Sequence, residues 1–178
     1  GEETELMGIM SDDDGECVYI LPGSHSKIIK TDATGKIESF ATMLTGEMTA
    51  ALAQNTILKA SVRFCDSFDS DYLMKGYEYC SKKGINEALF KVRILKNIFE
   101  CENLKVYSFF MGVILCGEVE AVLKINAPKV VIGGKKQLKE ALALLIENKS
   151  DCEVVCVSDC VVDKSSTLGM IRIYEYKN

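Results

Sequence analysis

Cys17-Val18-Tyr19-Ile20-Leu21-Pro22-Gly23-Ser24-His25-Ser26-Lys27-Ile28-Ile29-Lys30-Thr31 reads as two strands joined by a tight connection. Both flanks are dense in β-branched and aromatic residues, which suit a pleated, buried surface. The connection holds one Gly, two Ser, the only His of the chain and a Lys. Glycine lets a backbone approach a ligand closely, and Ser hydroxyls and main-chain N–H groups can face an anion. Lys27 adds positive charge where phosphate oxygens would sit. The same residues also make an ordinary hairpin turn, so composition leaves both readings open.

Outward from this stretch, residues 16–22 and about 26–32 are the first two strands, and Ala33-Thr34-Gly35 closes a hairpin. Lys36 to Leu44 alternates as a third strand, with Ile37, Ser39, Ala41 and Met43 on one face and Glu38, Phe40 and Thr42 on the other. Thr45 is read as the N-cap of a helix reaching about Leu58, and Glu47 as a helix-start residue. Upstream, an acidic stretch over residues 1–10 suits a helix start, and Asp12 to Gly15 a turn. Helices follow over Asp69–Lys83, Ile85–Glu100 and Asn103 to about Ile125. The last is apolar almost all round and should be central, with Gly112 and Gly117 packed closely. Pro128 breaks it. Lys129 to Ile132 is a short buried strand ending in Gly133-Gly134. Then come a helix over Lys136–Asn148, a strand over Glu153–Val157 and a closing helix over Lys164–Tyr176.

This order is β-β-β-α, a helical insertion over about 66–101, then α-β-α-β-α. It predicts a single α/β domain of the ribonuclease-H-like, actin-like ATPase type, with three antiparallel strands followed by alternating units.

Composition narrows the function. The chain has 178 residues, 48% of them hydrophobic, enough for one sizeable core. A net charge of −5 argues against a nucleic-acid surface. No apolar stretch is read as reaching the length of a membrane span, and the acidic start does not suit a signal peptide, so a cytoplasmic protein is expected. Cysteines at 17, 65, 80, 101, 116, 152, 156 and 160 contain no CxxC pair, and no metal site is assigned. The Val-rich run Cys152 to Cys160 reads as a strand with its thiols on one face. All eight cysteines are expected to be reduced and buried.

Leu21 to Lys27, preceded by Gly1-Glu2-Glu3-Thr4-Glu5-Leu6-Met7-Gly8 and followed by Thr42-Met43-Leu44-Thr45-Gly46-Glu47, resembles the 2-dehydro-3-deoxygalactonokinase family. These are sugar-acid kinases of the actin-like type. The likeness covers essentially the whole chain but only the C-terminal part of the family's length, and Ser24 stands where the usual pattern has Thr. The resemblance implies ATP-dependent phosphorylation of 2-dehydro-3-deoxy-D-galactonate to its 6-phosphate, with ATP and Mg²⁺ as cofactors. It points to Gly23, Ser24, His25, Ser26 and Lys27 on the phosphates and to Gly133, Gly134 and Gln137 on the nucleotide. Glu2 or Glu3 is expected as the base for the acceptor hydroxyl, and Mg²⁺ to be held mainly by phosphates and water. An N-terminal lobe with most of the sugar-acid pocket is the expected partner, so the isolated chain should fold yet phosphorylate poorly or not at all. Alternatives are an actin-like domain that binds nucleotide without turnover and a kinase of another sugar or sugar acid. A homodimer through the apolar helices is left open.

Overall fold

The strand before the turn is the axis of the fold. In the computed structural model, which describes residues 2–11, 13–134 and 136–175 (the side chain of residue 2 excepted), β1 (Cys17–Leu21) is buried at every position. It pairs antiparallel with β2 (Ser26–Thr31), which pairs antiparallel with β3 (Ile37–Met43). On its other side β1 pairs in parallel with β4 (Lys129–Ile132), and β4 with β5 (Glu153–Cys156). The sheet order is β3-β2-β1-β4-β5. A strand with neighbours on both edges and helices on both faces has no wet side, which is why Cys17 to Leu21 is uniformly apolar rather than alternating.

The helices, in chain order, are α1 (Glu2–Ile9), α2 (Thr45–Asn55), α3 (Ser70–Lys83), α4 (Ile85–Asn97), α5 (Asn103–Ile125), α6 (Lys136–Glu147) and α7 (Asp159–Glu175). Val18, Ile20, Ile28, Val130 and Ile132 point to the larger core, built with Phe110, Val113, Leu142, Leu145 and Ile146 of α5 and α6. Cys17, Tyr19, Leu21, Ile29 and Val131 point the other way, onto Leu6 and Ile9 of α1. α1 and α7 cross through small residues: a Cβ on Gly8 would strike the Ser165 carbonyl, and one on Gly169 the Thr4 carbonyl. α3 and α5 cross in the same way at Gly76 and Gly112. Asp14 ties the start of β1 to β4, accepting from Tyr19 Oη at 2.6 Å and Lys129 Nζ at 2.7 Å.

Several expectations change. Leu44, not Thr45, occupies the N-cap of α2, because the Thr45 hydroxyl turns inward to Glu118. That helix stops at Asn55: Thr56 is extended and accepts from Leu58 N, starting a separate 3₁₀ turn, Ile57–Ala60. α4 ends at Asn97 rather than Glu100, which has left-handed backbone at φ 51°. α7 begins at Asp159, five residues earlier than expected, because buried Lys139 binds both Val157 O and the Asp159 carboxylate. Its expected end at Tyr176 lies outside the described residues.

Cys152, Cys156 and Cys160 therefore do not share one strand face, since Cys160 is in α7; Cys156 and Cys160 are exposed, not buried. β3 is the sheet edge and exposes both of its faces, so its alternation does not mark an inner side. α5 is long and apolar enough to cross a membrane by length and composition, against the expectation that no stretch is; 78% of that window is buried within this fold.

Two glycines of α5 make the helix-crossing argument testable. Gly112→Ala puts a methyl into the Leu73 carbonyl and should cost about 3 kcal/mol, the upper range for overpacking. Gly117→Ala meets nothing within 4 Å and should be neutral or stabilising by about 0.5–1 kcal/mol. Urea unfolding of both variants checks the pair, and equal losses would contradict it.

Candidate functional site

The site follows from strand direction. β1, β4 and β5 run parallel, and chain connections leave β1 and β4 toward opposite edges of the sheet. In open α/β sheets a ligand crevice forms at such a switch point, beyond the carboxyl ends of the strands. Leu21-Pro22-Gly23-Ser24-His25 leaves the carboxyl end of β1, and Gly133-Gly134 leaves that of β4. The two segments touch. Gly133 N donates to Ile20 O at 2.9 Å, extending the ladder, and a Cβ on Gly134 would lie 2.7 Å from Pro22 Cγ. Gly134 also has φ 77°, so it combines close approach with left-handed backbone.

The turn is held from the other side by the first residues of α2. Gly46 N donates to Gly23 O and Ser24 O, both at 3.1 Å, and Glu47 N to Ser24 O at 3.2 Å. A Cβ on Gly46 would sit 2.6 Å from Gly23 O, so glycine is required there. This arrangement sets the direction of the peptide planes. In a trans peptide the carbonyl of one residue and the N–H of the next point oppositely. With Gly23 O and Ser24 O aimed at α2, the Ser24 and His25 N–H groups face away from it. Ser24 and His25 are exposed, and a Cβ on Gly23 would meet nothing within 4 Å. The Ser24 and His25 amides are thus adjacent donors on the side of the turn away from α2.

Ser26 and Lys27 act beneath the turn. Ser26 is fully buried and its Oγ accepts from Gly23 N at 3.3 Å. Lys27 is buried to within 6%, its Nζ donating to His25 O at 2.8 Å. His25 Nε2 lies 3.2 Å from Glu47 Oε2, so Glu47 reaches the turn as well as starting α2. Both side chains are about half exposed or more, and such a pair adds at most about 1 kcal/mol.

A small cavity of about 230 Å³ opens along the turn, lined by Glu5, Leu21, Pro22, Gly23, Ser24, His25 and Lys27. Its carboxylate comes from Glu5 of α1. Glu3 is exposed and does not line it, and the side chain of Glu2 lies outside the described residues. Three glutamates in five residues do not reveal which face of α1 meets the turn, so sequence reasoning missed Glu5. Gln137 opens α6, and its side-chain amide faces protein: Nε2 donates to Cys65 O at 2.8 Å and Ser67 O at 3.3 Å, and Oε1 accepts from Tyr107 Oη at 3.4 Å. It fastens the 65–67 segment over the start of α6. A larger cavity, about 860 Å³, lies at the opposite end of the sheet between Met7, Asp14, Tyr19, Thr34 and Arg172. It sits at the amino ends of the parallel strands, away from the switch point.

Below the turn lies a residue that sequence reasoning passed over. Glu118, on the apolar helix α5, is 1% exposed, and its Oε1 accepts from Thr45 Oγ1. Burial pushes its carboxyl above the ordinary 4.5, against hydrogen bonds from Thr45 and Ser26 that favour the charge. Among the described residues, no group of three or more His, Cys, Asp or Glu side chains is arranged to hold a metal ion.

The sequence matches the model of the 2-keto-3-deoxy-galactonokinase family over residues 1–172. The chain belongs to that family. A probable 2-dehydro-3-deoxygalactonokinase of Rhizobium meliloti is 38% identical over 69 residues, covering 38% of this chain and 22% of that relative. A crystal structure of a Sinorhizobium meliloti protein given the same family name superposes with a TM-score of 0.82 at 22% identity, over 97% of this chain and 58% of that one. The Clostridium difficile activator of 2-hydroxyisocaproyl-CoA dehydratase, solved with bound ADPNP, superposes with a TM-score of 0.55 at 15% identity, over 94% of this chain and 63% of that one. The galactonokinase-family chain thus spans less than two thirds of the length of these relatives.

Gly46→Ala tests the clasp between turn and helix. The added methyl should cost about 2 kcal/mol in thermal or urea unfolding. Unchanged stability would show that the turn does not depend on α2.

Proposed function

We propose that this chain is the nucleotide-side lobe of a sugar-acid kinase with a ribonuclease-H-like, actin-like ATPase fold. The reaction moves the γ-phosphoryl group of ATP to the 6-hydroxyl of 2-dehydro-3-deoxy-D-galactonate. The hydroxyl oxygen forms the new P–O bond, the bond to the β-phosphate bridging oxygen breaks, and the hydroxyl proton passes to a carboxylate. Family membership supports the sugar-acid kinase reading, and the sheet order with an antiparallel meander and two parallel strands supports the fold. The single observation that carries the nucleotide site is the turn itself, whose carbonyls are tied to α2 and whose Ser24 and His25 amides point away from it, beside exposed side chains.

In this reading the donors of Ser24 and His25 receive phosphate oxygens as charge spreads over the transferring group. Lys27 stiffens the turn through His25 O and supplies the nearest buried positive charge. Gly133 and Gly134 pack against Ile9, Leu21 and Pro22, and their part in holding the nucleotide is assigned to fixing the turn from the β4 side. Glu5, which lines the cavity, is an α1 carboxylate assigned to orient or deprotonate the acceptor, beside Glu2, whose side chain lies outside the described residues. Mg²⁺ bound with the nucleotide would neutralise phosphate charge, and the lining of the turn fits a metal held through phosphates and water. The sugar-acid pocket is assigned to the rest of the longer protein, so turnover belongs to the full-length enzyme.

Calorimetric titration with Mg·ATP tests the site. Ser24→Ala removes a hydroxyl donor to a charged group and should weaken ATP binding about tenfold. Gly134→Val drives a branched side chain into Pro22 and should abolish binding. Unchanged affinity in both variants would remove the site. A kinase assay of the full-length protein across 2-keto-3-deoxy sugar acids tests the substrate, with galactonate-derived acid expected to be preferred.

A further inference from the structure

The Glu118 carboxyl is the unexplained group of this fold. It sits on the most apolar helix, 1% exposed, and its Oε2 has no hydrogen-bond partner among the described residues. Two elements converge on it. Thr45 comes from the start of α2 and donates to Oε1; Ser26 comes from the start of β2 and also faces the carboxyl. Neither is charged, and among the described residues no charged side chain contributes to the state of the group. A carboxylate with a bare oxygen and no cation in an apolar interior is a costly arrangement, whereas the neutral acid leaves no charge buried there.

The two contacts are not arbitrary ones. Ser26 Oγ is the acceptor for Gly23 N, and Thr45 precedes the Gly46 and Glu47 amides that bind Gly23 O and Ser24 O. Glu118 therefore joins both clamps on the turn from below. We propose that Glu118 is a positioning residue of the phosphate turn, a buried acid that faces both Ser26 and Thr45, and that placing a charge on it in this apolar interior loosens the turn. This rests on the nucleotide reading above and names the buried group that keeps the turn in shape.

The pH dependence has a definite sign. The unfolded chain ionises Glu118 near 4.5 and the folded chain only at higher pH. Unfolding in that interval releases a proton, so the stabilisation is complete below 4.5 and falls as pH rises to the folded-state value. Glu118→Gln is neutral at every pH and retains one acceptor and a donor, whereas Glu118→Leu removes both.

Full-length wild type and both variants are compared in steady-state kinetics with Mg·ATP from pH 5 to 9, and in thermal unfolding over the same range. Glu118→Gln should keep KM for ATP within about twofold of wild type at low pH and show a smaller rise at high pH. Glu118→Leu should raise KM for ATP at least tenfold with a smaller change in kcat. The melting temperature of Glu118→Gln relative to wild type should climb as pH rises from 5. Gln and Leu variants equally impaired at all pH values, or both unaffected, would overturn the proposal. If wild type does not bind ATP at all, the nucleotide reading fails instead. The unfolding series then decides the role of Glu118, and a pH-independent difference between wild type and Glu118→Gln overturns it.

Discussion

The carbonyls of Gly23 and Ser24 accept the first amides of α2, and that one arrangement orders everything at the carboxyl end of the sheet. It satisfies donors that a helix start leaves unpaired and turns the next two amides of the turn outward. It also demands glycine at position 46, where any Cβ would strike Gly23 O. A helix N-terminus can bind an anion directly. Here its first donors bind the turn instead.

The sheet makes this clasp possible. β1 is buried on both faces and pinned by neighbours on both edges, so its carboxyl end has little freedom. Gly134 closes on Pro22 from the β4 side while Gly46 closes on Gly23 from the α2 side. The turn is therefore fixed at both flanks and exposed at Ser24 and His25. Helix α5 underlies it as an apolar support with a single buried acid, Glu118, directed at the joint between β2 and α2.

Much of this was legible in the sequence because it is encoded by local pattern. The unbroken apolar run of β1, the β-formers of β2 and the all-round apolar α5 predicted the central layers, and element order gave an α/β fold. Readings failed where a distant partner decides a residue's task. Thr45 has the chemistry of an N-cap, but Glu118, 73 residues away, takes its hydroxyl. Lys139 moves the start of α7 by binding Asp159 across β5, and an edge position leaves β3 alternating with nothing to bury. At the site, Gly23 and Gly134 were marked by residue type. Glu5 was hidden among three glutamates, and Glu118 by its apolar surroundings.

The most direct test of the account is an amide-resolved NMR titration of the chain with a non-hydrolysable ATP analogue and Mg²⁺. The account predicts that the Ser24 and His25 amides shift most strongly, while the Gly46 and Glu47 amides, already bound to the turn, keep their hydrogen-bonded positions. Shifts confined to the cavity at the other end of the sheet, around Thr34 and Arg172, with Ser24 and His25 unmoved, would contradict it.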